Sequence, residues 1–513
     1  MSNLAMELVD ITKSFGSVIA NDNISMTVNK GEILAILGEN GSGKTTLMNM
    51  IAGIYFPDHG KIFIDGKEVV ITSPAAAHSL QIGMIHQHFK LIDVFSATEN
   101  IVLGLDDEEY DLAESAKKIQ EIADRYGFHI DPKKKIYNMS VSEKQTVEII
   151  RVLYRGANLL ILDEPTAVLT PQETNRLFDV LRRMRDDGKS IIIITHKLSE
   201  VMAISDRVTG LRKGQNIATV DTADTDPQLL TDMMVGETVS LNIERKDPVD
   251  AQDRLLVDHV TVKGYQGDIL LDDVSFTAKS GEILGIAGIA GSGQKELLEA
   301  IAGLQEIDEG KILYRDTVTK EETNLINKNA MEIRDLGVRL SFVPEDRLGM
   351  GLVGNMNIVD NIMLRSYQAG SSVFVEREAP RTLAERIIER LEVATESADT
   401  PVRKLSGGNV QKILVGREIA SHPTVFMAAY PVRGLDINSS YKIYDLLNEQ
   451  KEQGVAVIYV GEDLDVLLAL CDRILVLSHG KMYGPFDGKT ITKEEIGFNM
   501  VKGRGEADGK RTN

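Results

Sequence analysis

The 513-residue sequence predicts an α/β protein built from two tandem copies of one domain, on three observations. The first is a long internal repeat. "GEILAILGENGSGKTTLMNMIAGIYFPDHGKI", from Gly31, returns 250 residues later as "GEILGIAGIAGSGQKELLEAIAGLQEIDEGKI", from Gly281. Three more pairs recur in the same order, 266 residues apart: "MSVSEKQTVEIIRVL" with "LSGGNVQKILVGREI", "LLILDEPTAVLT" with "VFMAAYPVRGLD", and "ITHKLSEV" with "VGEDLDVL". The second observation is a set of short apolar runs such as "EILAIL", "NLLIL" and "SIIIIT", each followed by a helical pattern, as buried parallel strands require. The third is a helical segment between the halves of each copy. It puts Leu112, Ala116, Ile119 and Ala123 on one face in the first copy, and Leu383, Ile387 and Leu391 in the second.

The repeat sets the expected domains: 1–242, a polar linker 243–253 interrupted by Pro248, 254–500, and a tail 501–513 too polar to pack. Composition narrows the class. The single Cys471 cannot form an internal disulfide, which suits a reducing compartment. No apolar run approaches the ~18 residues of a membrane span, and "MSNLAMELVDITKSFG" lacks the apolar core of an export signal. The net charge of −20 repels phosphate backbones and argues against a nucleic-acid partner. A bound nucleotide is still compatible with it, because clustered backbone N–H groups overcome the global field locally.

The first copy carries a full set of nucleotide chemistry. "GENGSGKT", Gly38 to Thr45, follows a strand and opens a helix, the context of a phosphate-binding loop. The glycines Gly38, Gly41 and Gly43 let the backbone of Glu39, Asn40 and Ser42 fold around phosphate; Lys44 reaches the phosphates and the Thr45 hydroxyl, ahead of Thr46, suits Mg²⁺. "LLILDEP" ends a strand in Asp163, placed for Mg²⁺, and Glu164, placed as a general base. "SIIIITH" ends in His196, and "MIHQHF" supplies Gln87, a further ligand for Mg²⁺ or its water. Taken alone, two acids or a histidine at a strand end would be structural.

Together "GENGSGKTT", "LDEPT", "ITH" and "LSGGNVQK" resemble the ATP-binding cassette (ABC) ATPases, over essentially the whole chain and twice. The resemblance implies two cassettes, each a RecA-like core with a helical subdomain, using ATP and Mg²⁺. It makes Gly38–Thr46 the Walker A loop, Gln87 the Q-loop, Asp163 and Glu164 the Walker B pair, and His196 the switch histidine. Phe15 matches the aromatic that stacks on adenine. In this family ATP lies between the Walker motifs of one cassette and the signature of the other. One site then combines the intact first-copy motifs with Ser406, Gly407 and Gly408 of "LSGGN", and Asp436 matches the D-loop aspartate facing it. Asn409 stands where glutamine is usual.

The second combination is degraded. Gln294 replaces the lysine, Lys295 the hydroxyl, Ala429 and Tyr430 the two acids, Glu345 the Q-loop glutamine and Glu462 the switch histidine. The opposing signature, "MSVSE", has Val141 and Ser142 in place of glycines. The pattern is similar to ATPase subunits of bacterial importers for simple sugars and nucleosides, and "MIHQHFKLIDVFSATENIVLG" most resembles the nucleoside branch. That implies two transmembrane permease subunits, a substrate-binding lipoprotein acting indirectly, no contact with the cargo, and a peripheral position on the cytoplasmic face of the membrane. The competing readings are a monosaccharide importer, a regulatory nucleotide-binding protein and a ribosome-associated twin-cassette ATPase.

Overall fold

The computed structural model describes residues 3–16, 18–86, 89–105, 111–167, 169–236, 241–264, 267–289, 291–326, 328–342, 351–367 and 375–502. The chain divides into two compact units, Met1–Leu241 and Asn242–Asn513.

In the first unit a six-stranded sheet forms the core. Its order is Gln215–Asp221, Arg207–Arg212, Ile33–Leu37, Ser190–Thr195, Leu159–Asp163 and Ile82–Ile85. All pairings are parallel except the first. Ile33 packs with Leu160, Ile191 and Ile193 on one side, whereas Leu34 and Ile36 pack with Leu47, Ile161 and Ile192 on the other. Both faces are therefore covered, which is why these strands read as unbroken apolar runs. The strand Ile33–Leu37 comes first in the sequence yet lies between the later Ser190–Thr195 and Arg207–Arg212. Such a reversal opens a crevice at the carboxyl ends of the strands, where ligands bind in open α/β sheets. A four-stranded antiparallel sheet, led by Leu4–Phe15 and Val18–Asn29, packs beside this core.

The helical segment forms Leu112–Tyr126, started by Asp111, whose carboxylate accepts from the Ala113 and Glu114 amides. Its packed face is Ser115, Ile119, Ala123 and Tyr126. The expected Leu112 is exposed and the expected Ala116 half-buried, with Ser115 in the packed position instead. The second unit repeats the plan: Val338–Phe342, Val425–Ala429, Ala456–Val460, Ile283–Ala287, Arg473–Ser478 and Lys481–Asp487 in sheet order. Its inserted helix, Glu378–Arg390, buries Ala384 and Ile387, and Leu391 beyond it is buried too.

The stretch expected to link the copies is laid against the second unit. Ile243 packs on that unit's core, and Arg245 Nη1 donates to the carbonyls of Leu468 at 3.1 Å and Cys471 at 2.5 Å. Lys246 pairs with Glu452 at 2.7 Å. Of the tail, Val501 ends the helix Lys493–Val501 and 503–513 fall outside the described residues. Among the described residues no helix is long and apolar enough to cross a membrane.

Candidate nucleotide site

Three strands of the first unit deliver the predicted residues to one edge of its sheet. Leu37 pairs with Thr195 and Asp163 with Ile194, so the loop after Leu37, the acid pair and His196 emerge side by side. Two glycines make the loop possible. A Cβ on Gly38 would lie 2.3 Å from the Leu211 carbonyl oxygen, and one on Gly43, at φ 98°, 2.4 Å from the Ala20 carbonyl oxygen. At Gly38 the approach alone requires glycine, and at Gly43 the approach and the left-handed backbone both do. Asn40 and Gly41 are exposed at the tip, whereas Ser42 is buried with its hydroxyl unpartnered. The helix Lys44–Ile51 starts at once, so its free N–H groups face the loop.

Lys44 is buried, and its Nζ donates to the carbonyl oxygens of Gly38 at 2.7 Å and Glu39 at 2.8 Å. Burial lowers its pKa, opposed by the charges of Glu164, Asp163 and Glu39. Asp163 moves the other way: burial, aided by the neighbouring Glu164, raises its pKa to about 6, against the pull of Lys44 and a hydrogen bond with Thr45. Thr45 is exposed and Thr46 half-buried beside it. Glu164 holds a left-handed backbone, φ 46°, uncommon for a residue with a Cβ, and its amide donates to the Ile194 carbonyl at 3.0 Å. Its Oε1 lies 2.9 Å from His196 Nδ1, and that hydrogen bond is the main reason its pKa is lowered. Glu164 and His196 therefore form a pair, a relation their separate motifs did not reveal. Gln87 and Glu345 fall outside the described residues.

Phe15 is 45% exposed at a strand end, edge-on to Tyr55 at 5.3 Å between ring centroids. On hydrophobicity alone Phe15 reads as core; the structure leaves it exposed, with Lys13 Nζ over its ring at 5.5 Å from the centroid.

In the second unit Ser406 caps the helix Gly407–Ile419. Its hydroxyl accepts from the Asn409 amide at 3.4 Å and from Asn409 Nδ2 at 2.9 Å. Ser406 and Gly407 are exposed and Gly408 half-buried; a Cβ on Gly408 would meet Leu435 at 3.3 Å. Asp436 caps the helix Ile437–Glu452, and Ser439 donates to it through its amide at 2.7 Å and its hydroxyl at 2.6 Å. Its carboxylate is thus engaged in capping.

The first unit's weakened signature differs in kind. Ser140 caps Val141–Tyr154 in a closed box in which Glu143 Oε2 accepts from the Ser140 amide at 2.7 Å, with Lys134 on the same carboxylate at 2.7 Å. Glu143 stands where the second copy has Asn409, so a carboxylate occupies the helix N-terminus that would otherwise face an anion.

Sequence reasoning overlooked two supports. Gln145 Nε2 donates to the Pro165 carbonyl at 2.7 Å, tying the signature helix to the acid-pair loop, and Gln411 makes the equivalent bond to Pro431. The repeat alignment already matched these glutamines. The second support is buried Glu200, bonded to Thr166 and to Thr195 Oγ1, the latter at 2.9 Å, which braces the loop carrying His196. No sequence pattern marks it.

Two α/β units with glycine loops at the switch point, one with its acid pair and one without, define a twin-cassette nucleotide-binding protein. The family model described as "ABC transporter" matches residues 21–167 and 271–431, more than half of the chain, and the chain belongs to that family. It is 41% identical over 515 residues to the guanosine import ATP-binding protein NupO of Bacillus subtilis, covering 98% of this chain and 99% of the relative. It is 39% identical over 505 residues to the nucleoside import ATP-binding protein NupA of Lactococcus lactis, covering 97% and 98%. It is also 39% identical over 534 residues to the glucose import ATP-binding protein TsgD13 of Haloferax volcanii, covering 97% and 96%. Among solved structures, archaeal ribosome recycling factor aABCE1, in complex with ribosomal stalk protein aP1, shares the fold at TM-score 0.59 and 19% identity, over 91% of this chain and 87% of that one.

Proposed function

We propose that this chain is the ATP-hydrolysing, energy-coupling subunit of a bacterial importer, with nucleosides as the cargo of the system. The observation that carries the enzymatic reading is the asymmetry of the acids. Asp163 and Glu164, with His196 and Lys44, stand around the first loop, whereas Ala429 and Tyr430 hold those positions in the second unit. One hydrolytic site, completed by the Ser406–Gly408 signature, follows from that asymmetry and from the family's use of paired cassettes.

The loop fits ATP with Mg²⁺. Gly38 and Gly43 leave a cradle that a Cβ would fill, Ser42 keeps a buried unpartnered hydroxyl, and Asp163 is a buried carboxylate short of positive charge. Thr45 and Asp163, with Gln87, would hold Mg²⁺, which supplies charge neutralisation at the phosphates. The chain's own groups do the rest. Lys44 and the loop amides bind and orient the phosphates, and Phe15 offers a face to the adenine. Glu164, kept ionised by His196, draws a proton from the attacking water, an effect typically worth ~10²–10⁴ in rate. His196 positions Glu164 and senses the terminal phosphate.

Two permease subunits at the cytoplasmic face of the membrane would carry the cargo, docked near Gln87 and Glu345. A binding lipoprotein would act through them, so the chain touches neither cargo nor nucleic acid. NupA and NupO, both nucleoside importers by name and both near full-length matches, support nucleosides. The similarity to TsgD13 supports a monosaccharide as the second reading. Uptake of labelled nucleosides and labelled sugars in a deletion strain separates them. Lost nucleoside uptake with sugar uptake intact is the expected result, and the reverse overturns the cargo assignment. Copurification with ribosomes rather than with two hydrophobic subunits overturns the importer reading itself.

A further inference from the structure

Glu200, a buried carboxylate on the helix Leu198–Ile204, is bonded to both segments that carry the Glu164–His196 pair. Its Oε1 accepts from the Thr166 hydroxyl and lies 3.2 Å from Lys197 Nζ, and its Oε2 accepts from the Thr195 hydroxyl at 2.9 Å. Thr195 immediately precedes His196, and Thr166 stands two residues after Glu164. Glu164 Oε1 in turn lies 2.9 Å from His196 Nδ1. The bonds close a ring through Glu164, Pro165, Thr166, Glu200, Thr195 and His196.

Neither the backbone nor the helix requires this ring, because the second unit builds both without it. At the repeat offset of 266 residues, Val432, Gly461 and Val466 replace Thr166, Thr195 and Glu200. Val432 and Val466 pack against that unit's apolar core. A Cβ on Gly461 would lie 2.6 Å from the Tyr459 ring, so the place of the Thr195 side chain is already filled. The left-handed residue persists, Tyr430 at φ 49° against Glu164 at φ 46°. So does its amide bond to the next strand, at 2.8 Å for Tyr430 and 3.0 Å for Glu164. The following helix persists as well. Asp463 caps Leu464–Leu470 by accepting from the Asp465 and Val466 amides, whereas Lys197 in that place gives no side-chain cap. Glu200 stands in the first turn of its helix, where a carboxylate suits the free amides. Both its oxygens are nevertheless engaged by the threonines.

A buried carboxylate is costly unless it is fully bonded, and the second unit shows an apolar alternative at the same place. A support that both units share looks different: Gln145 and Gln411 hold the Pro165 and Pro431 carbonyls alike. The Glu200 ring is confined to the unit that keeps Glu164 and His196, and is lost with them. We infer that Glu200, acting through Thr166 and Thr195, is a positioning residue for ATP hydrolysis. It fixes the two segments that carry the base and its histidine, and so aims the base at the attacking water. The inference rests on the hydrolytic reading given above.

The test uses the full-length chain with membrane vesicles of the native strain stripped of it, and reads kcat and KM for ATP. Glu200→Val should lower kcat by ~10–10²-fold, the effect of a base displaced by about 1 Å, with KM and ATP-analogue binding within about twofold. Glu200→Gln, whose amide can accept from one hydroxyl and donate to the other, should keep at least about a third of the wild-type kcat. Thr166→Val/Glu200→Val should lose no more than Glu200→Val alone, because the two act as one network. If Glu200→Val melts early, Thr166→Val decides: it opens the ring at one hydroxyl and should lower kcat by about threefold or more at unchanged KM. Wild-type kcat in the folded valine variants overturns the inference and leaves the hydrolytic reading standing, provided Glu164→Gln is inactive. Equal losses in Glu200→Gln and Glu200→Val overturn it in favour of a role for the charge itself. A loss that follows the melting temperature, with KM rising alongside, overturns it in favour of a purely structural role. A wild-type chain that does not hydrolyse ATP, or a Glu164→Gln variant that does so at the wild-type rate, overturns the hydrolytic reading and this inference with it.

Discussion

The two glycine loops of this chain share a backbone and differ in chemistry. Ser42 and Ser292 each donate through the amide to the residue three before, Glu39 and Ile289, both at 3.1 Å. Gly43 and Gly293 are both left-handed, at φ 98° and 112°. Even the strained residue after the acid strand is kept, Glu164 at φ 46° and Tyr430 at φ 49°. The buried end group is what changes. Lys44 reaches two carbonyls, whereas Gln294 Nε2 reaches one, the Ile289 oxygen at 3.1 Å. The reason lies one strand away. Burial works against the charge of Lys44, and Asp163 and Glu164 offset it. In the second unit those acids are Ala429 and Tyr430, so a lysine there would be a buried cation without those two countercharges. A neutral amide fills the space and keeps the loop closed. The lysine and the acids are therefore lost as a unit, while the fold persists.

The contrast can be broken most forcefully at Glu164. Glu164→Gln should lower steady-state ATP hydrolysis by ~10²–10⁴ while ATP binding is retained; substantial residual turnover would mean that another group is the base. Next, Ser406→Arg should cost ~10²–10³ in turnover, as loss of a preorganised anion-stabilising group does. Ser140→Arg should cost only about 1 kcal/mol of stability through its lost helix cap. Equal loss of hydrolysis from the two would remove the single-site assignment.

The loops themselves come third. Lys44→Ala should abolish ATP binding measured by equilibrium titration. Gln294→Ala should leave hydrolysis intact and lower stability by about 1 kcal/mol, the loss of one hydrogen bond to an Ile289 carbonyl that still accepts from the Ser292 amide. The smallest effect separates the units by pH. Asp163, raised to about 6, holds its proton more readily in the folded than in the unfolded chain, so its contribution to stability falls as pH rises from about 4 to about 6. Asp163→Asn should therefore melt above wild type at pH 8 without nucleotide, by at most ~3 kcal/mol, with the gap closing near pH 4. A gap that does not narrow on acidification would mean that Asp163 is not the strained group.

Sequence alone determined the duplication, the α/β class, the intact and degraded motifs, and the residues of the first loop. These were legible because a phosphate loop, a buried parallel strand and a strand-end acid each require particular residue types at fixed local spacing. The packed face of Leu112–Tyr126 was legible at Ile119 and Ala123 but not at Leu112 or Ala116, since periodicity finds a stripe but not which of its turns meets a neighbour. What only tertiary structure decided involves residues far apart in the chain. The Glu164–His196 pair spans two strands, Glu200 braces a loop no pattern marks, and Glu143 turns an altered signature into a closed cap. Local spacing records what a backbone needs, but the cost of burying a charge depends on which distant groups surround it, and only the folded chain sets that.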